Sequence, residues 1–411
     1  MKDLAGRLRA WCAGRQGEMV ELLGQLVDTA SHASQRTGVA RVAQMIGAQL
    51  APVGLQLREH PARAVPVELA WLERIMSPEA PYDQLAASFV ARREASQPAA
   101  PRMLLLGDLD TAAPGAGQAG QPFAIRDGRA YGAGVADMKG GLVVMVTALR
   151  ALAAVGAPTP SLSLVLAGDE QAGSLSSRAL IEAEARGAAW CLCFECARDG
   201  GRVMHARAHI GVGRLEATGQ EAHAGSAHSR GRNAIDALAR AVPLVNQLTR
   251  PAEGVYVTVT MVSGGRRRSV VPGYASAVLD IRTPSASGWA RVRSDIERVV
   301  REASRSGVEM SVSVHDHRPG FGLRPEGQEL LEVVRRCGRE LGLVVESQAS
   351  PAAGSSAFIG AMGVPTIDGM GPSGGDLMTP GEYLELESLA PRAALAALTI
   401  ASHAGSNKKS A

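Results

Sequence analysis

Cysteine is scarce in this chain, aromatic residues are few, charge is nearly balanced, and no long apolar run interrupts the sequence. Each shortage excludes something. Five cysteines, an odd and sparse set, exclude a disulfide framework and fit a reducing cytoplasm. A net charge of +3, with acids and bases well mixed, removes any demand for nucleic acid or an anionic membrane as partner. The one dense basic run, "GGRRRS" at 264–269, is short and reads as a solvated loop. The first thirty or so residues mix charge with apolar residues at helical spacing, which fits neither a signal peptide nor a membrane anchor. Aromatics make up 3% while Ala and Gly are abundant, a mixture suited to helices and tight turns. The hydrophobic share of 46% argues against intrinsic disorder.

A chain of 411 residues is too long for one compact core, so two domains are expected. From residue 103 to 194 strand and helix patterns alternate: strands at 103–106, 161–167 and 189–194, helices at 138–155 and 175–185. This predicts an α/β fold with a mixed, largely parallel sheet and helices on both faces. "CLCFEC" at 191–196 lacks a further soft ligand at finger-like spacing, and Cys191 and Cys193 alternate as inward residues of a strand. They read as packing. Near His209 the texture changes to alternating strands (211–218, 256–262, 274–281) and amphipathic helices (233–248, 290–304), a compact α+β insert. Strand–helix alternation then resumes at 330–341, 344–346 and 364–367, a helix spans 388–402, and 402–411 reads as a polar tail. The expected domains are 1–208 and 320–411 for the α/β unit and 209–319 for the insert. The stretch 61–101 is poorly patterned apart from a helical piece at 67–76.

In open sheets of this kind, sites form beyond the carboxyl ends of strands. Acids collect there. Asp108 and Asp110 follow "LLLG", Asp137 sits in the glycine-rich "GAGVADMKGG", Asp169 and Glu170 follow "LSLVLAG", and Glu195 follows "CLCF". Helix N-termini also favour acids, but these sit at the last strand residue or just after it. Packed carboxylates need a cation or shared protons, so a divalent metal is their natural partner.

The same segments carry a resemblance. In order, "YGAGVADMKGGL", "AGDEQAGSLSSRALI", "EAHAGSAHSRGRNAI", "SVVPGYASAVLDIRTP" and "GVPTIDGMGPSGGDLMTPGEY" resemble motifs of the co-catalytic zinc aminoacylase and carboxypeptidase family. That family includes glutamate carboxypeptidase, acetylornithine deacetylase and succinyl-diaminopimelate desuccinylase. The likeness implies a zinc-peptidase-like catalytic domain with an inserted lid and dimerisation domain. It implies two metals about 3.5–4 Å apart that share an aspartate. By the resemblance Asp137 is the bridging ligand, Glu170 the general base, Glu195 a terminal ligand, and Asp110 the acid that orients a ligand histidine. His223 stabilises the oxyanion, usually across a dimer interface. Arg282 grips a substrate carboxylate, and Ser269 and Gly354 line the substrate site.

Three ligand positions depart from that pattern. Asp108 and Met378 stand where the family has histidines, and Gln171 where it has a second glutamate. Ser269 replaces the usual asparagine and Ser356 a common aspartate. Asp108, Asp137 and Glu195 would form a set of hard oxygens, favouring Mg²⁺, Mn²⁺ or Ca²⁺ over Zn²⁺. Gln171 and Met378 are poor partners for a second dication, and Asp376 is expected on the opposite face of a strand. The expectation is therefore at most one divalent metal (Mg²⁺, Mn²⁺ or Zn²⁺), or none. The activity implied is hydrolysis of an amide in an N-acyl amino acid or small peptide bearing a carboxylate, by a cytoplasmic homodimer. Two alternatives stand beside it: acyl transfer, condensation or cyclisation in the same pocket, with or without metal, and a non-catalytic binding subunit. His32, His60, His315, His317 and His403 read as surface or packing residues.

Overall fold

Strand-forming apolar segments pair into a six-stranded sheet in the order Arg58–His60, Ser88–Arg93, Ser161–Ala167, Arg102–Asp108, Ala188–Cys193 and Thr366–Ile367. The computed structural model describes residues 2–78, 80–95, 101–112, 121–198, 200–304 and 307–404. The last four strands of the sheet run parallel, and the first two join antiparallel at one edge. Successive residues of a strand point to opposite faces, and both faces here are buried. Met103, Leu105, Trp190 and Leu192 enter one core, which is closed by helices that include Gly140–Ala154 and Leu389–Ala401. Leu104, Leu106, Cys191 and Cys193 enter the other, against Ile181 and Phe358 of the helices Arg178–Ala185 and Ser356–Ala361. All five cysteines are buried and free.

The chain divides into two compact units, one of Met1–Ala206, Leu323–Ala349 and Gly354–Ala411, the other of Arg207–Gly322 and Ser350–Ala353. The second unit is an antiparallel sheet in the order Tyr256–Gly264, Tyr274–Thr283, His209–Thr218, Glu309–Arg318. Its core packs Leu215, Leu279 and Ile281 against Leu238 and Ile296 of the helices Ala234–Asn246 and Ala286–Ala303. The "GGRRRS" loop is exposed. Among the described residues no helix is long and apolar enough to cross a membrane.

Several elements differ from expectation. The unpatterned stretch supplies the sheet strand Ser88–Arg93. The helix expected from 175 begins at Arg178, because Asp169 captures the N–H groups of Ser176 and Ser177 (2.9 and 3.3 Å) and holds the preceding residues in turns. The strand expected at 344–346 forms at Ser347–Ser350, in a polar run without apolar alternation. Of the polar tail, residues 405–411 lie outside the described residues.

Candidate active site

The strand Arg102–Asp108 ends in the buried carboxylate of Asp108, and the chain continues to Asp110, which is also buried. Asp110 accepts the backbone N–H of Glu170 on Oδ1 and of Gln171 on Oδ2, each at 2.9 Å. One carboxylate thus pins the loop that follows the neighbouring strand. No ligand histidine precedes it for it to orient, since Asp108 occupies that place. Tyr82, buried in the segment before Ser88–Arg93, donates its hydroxyl to the carbonyl of Ala172 and braces the same loop.

Glu195 follows the strand Ala188–Cys193, extended by the Phe194 N–H on the Leu106 carbonyl (3.0 Å). Beside it begins the helix Gly140–Ala154. A Cβ on Gly141 would lie 1.8 Å from the Phe194 carbonyl oxygen, so only glycine permits this approach. The turn Val135–Lys139 just before that helix carries Asp137.

One oxygen from each of Asp108, Glu170 and Glu195 lies within 4.8 Å of the other two, and all three residues are buried. This differs from the expected triangle of Asp108, Asp137 and Glu195. Glu170 converges with the other two, and Asp137 falls outside the group. The reason is local. Asp137 Oδ1 receives the side-chain amide of Gln171 (Nε2, 3.3 Å), and Glu382 Oε1 holds the N–H groups of Ala136 and Asp137 at 2.9 and 3.0 Å.

Crowding shows in the acidities. Asp110 is pushed well above the usual carboxylate range by burial, then by the charges of Glu170 and Asp169, against the two N–H groups it accepts. Asp137 is pushed well up by removal from water and then by Glu195, Glu170 and Glu382, with Arg198 opposing. Glu382 is raised by burial and partly compensated by backbone N–H groups. Such a cluster is tolerable when a cation or protons neutralise it.

Asp108, Glu170 and Glu195 offer hard oxygens only, a donor set that fits one divalent cation such as Mg²⁺ or Mn²⁺. The neighbouring position does not fit one. Gln171 spends its amide on Asp137, and Met378 is 56% exposed. Asp376 and Met378 both lie beyond the short strand Gly374–Gly375, each with a left-handed backbone (φ 52° and 61°). Strand alternation therefore does not govern Asp376, contrary to expectation, and its side chain is exposed.

In the second unit, His223 Nδ1 accepts the N–H groups of Gly225 (3.2 Å) and Ser226 (3.1 Å). A neutral imidazole so held carries its proton on Nε2, as a donor. Arg282 is already engaged: Nε and a terminal nitrogen contact the carboxylate of Asp280 (2.8 and 3.3 Å), and the other terminal nitrogen donates to the Pro351 carbonyl (3.2 Å). Ser269 lies exposed in a turn, its carbonyl accepting the Ala224 N–H. Gly354, in the first unit, is buried at the start of the helix Ser356–Ala361. Glu382, Arg198 and Tyr82 were not singled out from sequence. The turn "TPGEY" ahead of a strand was the only signal for Glu382, and nothing marked the other two.

The sequence pattern of peptidase family M20/M25/M40 matches residues 104–402. The chain belongs to this family. Members hydrolyse C–N amide bonds with the help of metal, and membership supports a hydrolase-like chain of that class. It is 26% identical over 302 residues to carboxypeptidase G2 of Pseudomonas sp. (strain RS-16), covering 72% of this chain and 73% of that one. It is 27% identical over 319 residues to succinyl-diaminopimelate desuccinylase of Bordetella pertussis, covering 73% and 82%. In fold it is similar to a tripeptidase of Staphylococcus aureus (TM-score 0.75, 18% identity, 95% and 99% of the two chains). It is also similar to a dinuclear metal-binding M20 peptidase of Bacillus subtilis (TM-score 0.66, 14% identity, 94% and 99%).

Proposed function

We propose that this M20 protein hydrolyses the amide bond of a small N-acyl amino acid or peptide bearing a carboxylate, at the pocket of Asp108, Glu170 and Glu195. The observation that carries the reading is the convergence of these three buried carboxylates at neighbouring strand ends. Asp108 and Glu195 would hold a divalent cation, with Glu170 within reach of it. Such an ion supplies Lewis-acid polarisation of a carbonyl and of water.

Glu170 is the proton carrier. It takes a proton from the attacking water and returns it to the leaving amine, which balances the hydrolysis. Asp110 keeps its backbone in place through the hydrogen bond to its N–H. His223, with its proton on Nε2, is suited to donate to the oxyanion. By the family resemblance Arg282 would take a substrate carboxylate in exchange for Asp280, and Ser269 and Gly354 would be substrate-binding residues. The desuccinylase relative is named for a small N-acyl amino acid rich in carboxylates, which supports this substrate class. The reading includes a cytoplasmic homodimer formed through the second unit. Met261 and Val262, exposed on the edge strand Tyr256–Gly264, support the dimer.

The test is release of free amine from a panel of N-acyl amino acids and dipeptides by protein supplied with Mn²⁺ or Zn²⁺. Glu170→Gln should lower the rate by about 10²–10⁴-fold. Chelation should abolish it. Turnover that survives chelation yet disappears in Glu170→Gln would instead assign acyl transfer or cyclisation. No release from any member, or full activity in Glu170→Gln, would refute the proposal.

A further inference from the structure

We propose that Gln171 does at Asp137 part of what a second metal ion would do, so that this pocket takes one divalent cation and not two. The inference rests on the reading above for its first cation and concerns what takes the place of an ion at the neighbouring position.

The argument starts from charge. Asp108, Asp110, Glu170, Glu195 and Glu382 are buried, and Asp137 is tied to this region through the Gln171 amide and Glu382. A single dication at Asp108, Glu170 and Glu195 leaves Asp137 to be neutralised by other means. One protein group meets that need. The Gln171 amide donates to Oδ1 of Asp137 (3.3 Å), placing a partial positive charge on the oxygen that a bridging role would commit to metal.

The donors needed for a second ion are also missing. The Gln171 side chain is committed to Asp137, and a neutral amide is a weak ligand. Met378 offers a soft thioether, is mostly exposed, and stands in a turn rather than on a strand aimed at the site. Glu382, the remaining carboxylate beside Asp137, is bound by the N–H groups of Ala136 and Asp137 and braces the turn. The Bacillus subtilis fold neighbour is described as dinuclear, so the architecture alone does not limit the count. The side chains of this chain do.

The full-length protein, stripped with chelator, is titrated with Mn²⁺ and followed by calorimetry, native mass spectrometry and electron paramagnetic resonance. We expect one equivalent and a mononuclear Mn²⁺ spectrum at saturation. The double variant Gln171→Glu/Met378→His should take two equivalents and give a spin-coupled spectrum. Two equivalents in the wild type would overturn the inference while leaving the hydrolase reading intact, and this result needs no variant to fold. A folded double variant that stays at one equivalent would also overturn it. One equivalent bound with no amide hydrolysis would refute the hydrolase reading and leave the inference standing. No binding at all would refute both.

Discussion

Asp110 accepts the backbone N–H of Glu170 on one oxygen and that of Gln171 on the other, both at 2.9 Å. The carboxylate of one strand end thereby fixes the main chain at the next, and the two residues it fixes have opposite tasks. Glu170 faces Asp108 and Glu195, while Gln171 turns to Asp137.

Replacing Asp110 by Asn leaves one oxygen and introduces an NH₂ group against a backbone N–H. Asp110 is a positioning residue, so kcat should fall by about 10–100-fold with little change in KM, as is usual for groups that orient a site from behind. Metal affinity should weaken in the same variant, measured by Mn²⁺ titration. A fall in stability alone, with kcat intact, would count against this role.

Tyr82→Phe removes the buried hydroxyl that donates to Ala172 and leaves that carbonyl without it. The expected loss is about 1–3 kcal/mol in urea unfolding, the usual cost of orphaning a buried polar group. Because Ala172 lies on the Glu170 loop, kcat should drop as well. Unchanged stability would show that the hydroxyl does not brace the loop.

The acidic pocket makes stability depend on pH with a definite sign. Asp110, Asp137 and Glu382 are weaker acids in the folded chain, their pKa values pushed above the unfolded ones by burial and neighbouring charge. The folded chain therefore holds more protons, and metal-free stability falls as pH rises from the unfolded carboxylate range through the raised values. A divalent cation replaces those protons. The rise in melting temperature caused by saturating Mn²⁺ should be larger near pH 8 than near pH 5. An equal rise at both values would mean that the cation does not compete with protons at these acids.

Lys139 titrates in the opposite sense. Burial lowers it from 10.5 to about 8, against the fields of Glu382 and Asp28, and its ammonium donates to the Thr29 carbonyl at 2.9 Å. Its folded value lies below the unfolded one. Keeping it charged therefore costs stability below about pH 8, and that cost is relieved as pH rises toward 10.5. Wild-type stability relative to Lys139→Met should improve by up to about 1.4 kcal/mol per pH unit across that window. Parallel stability curves for the two proteins would contradict this.

Much of this architecture was legible in the sequence, and the parts that were not have identifiable causes. "LLLG", "LSLVLA" and "CLCF" are short apolar runs that end in acids, and they became adjacent parallel strands with Asp108, Glu170 and Glu195 together at their ends. The strand Ser88–Arg93 was illegible because its two arginines, beyond the reach of the three-residue outer strand Arg58–His60 that pairs only with Ser88, Phe89 and Val90, blur the alternation of "SFVARR". "SQAS" paired as a strand without any apolar signal. The side-chain direction of Asp137 could not be read from spacing at all. It follows from Gln171 and Glu382, which are distant in sequence from the turn they hold.

The most direct test of the central claim is anomalous diffraction from crystals of the protein grown with Mn²⁺. The account predicts one strong peak within coordinating distance of Asp108, Glu170 and Glu195, with the Gln171 amide still on Asp137. An ion bound elsewhere, or these three carboxylates surrounding no peak at saturating Mn²⁺, would contradict it.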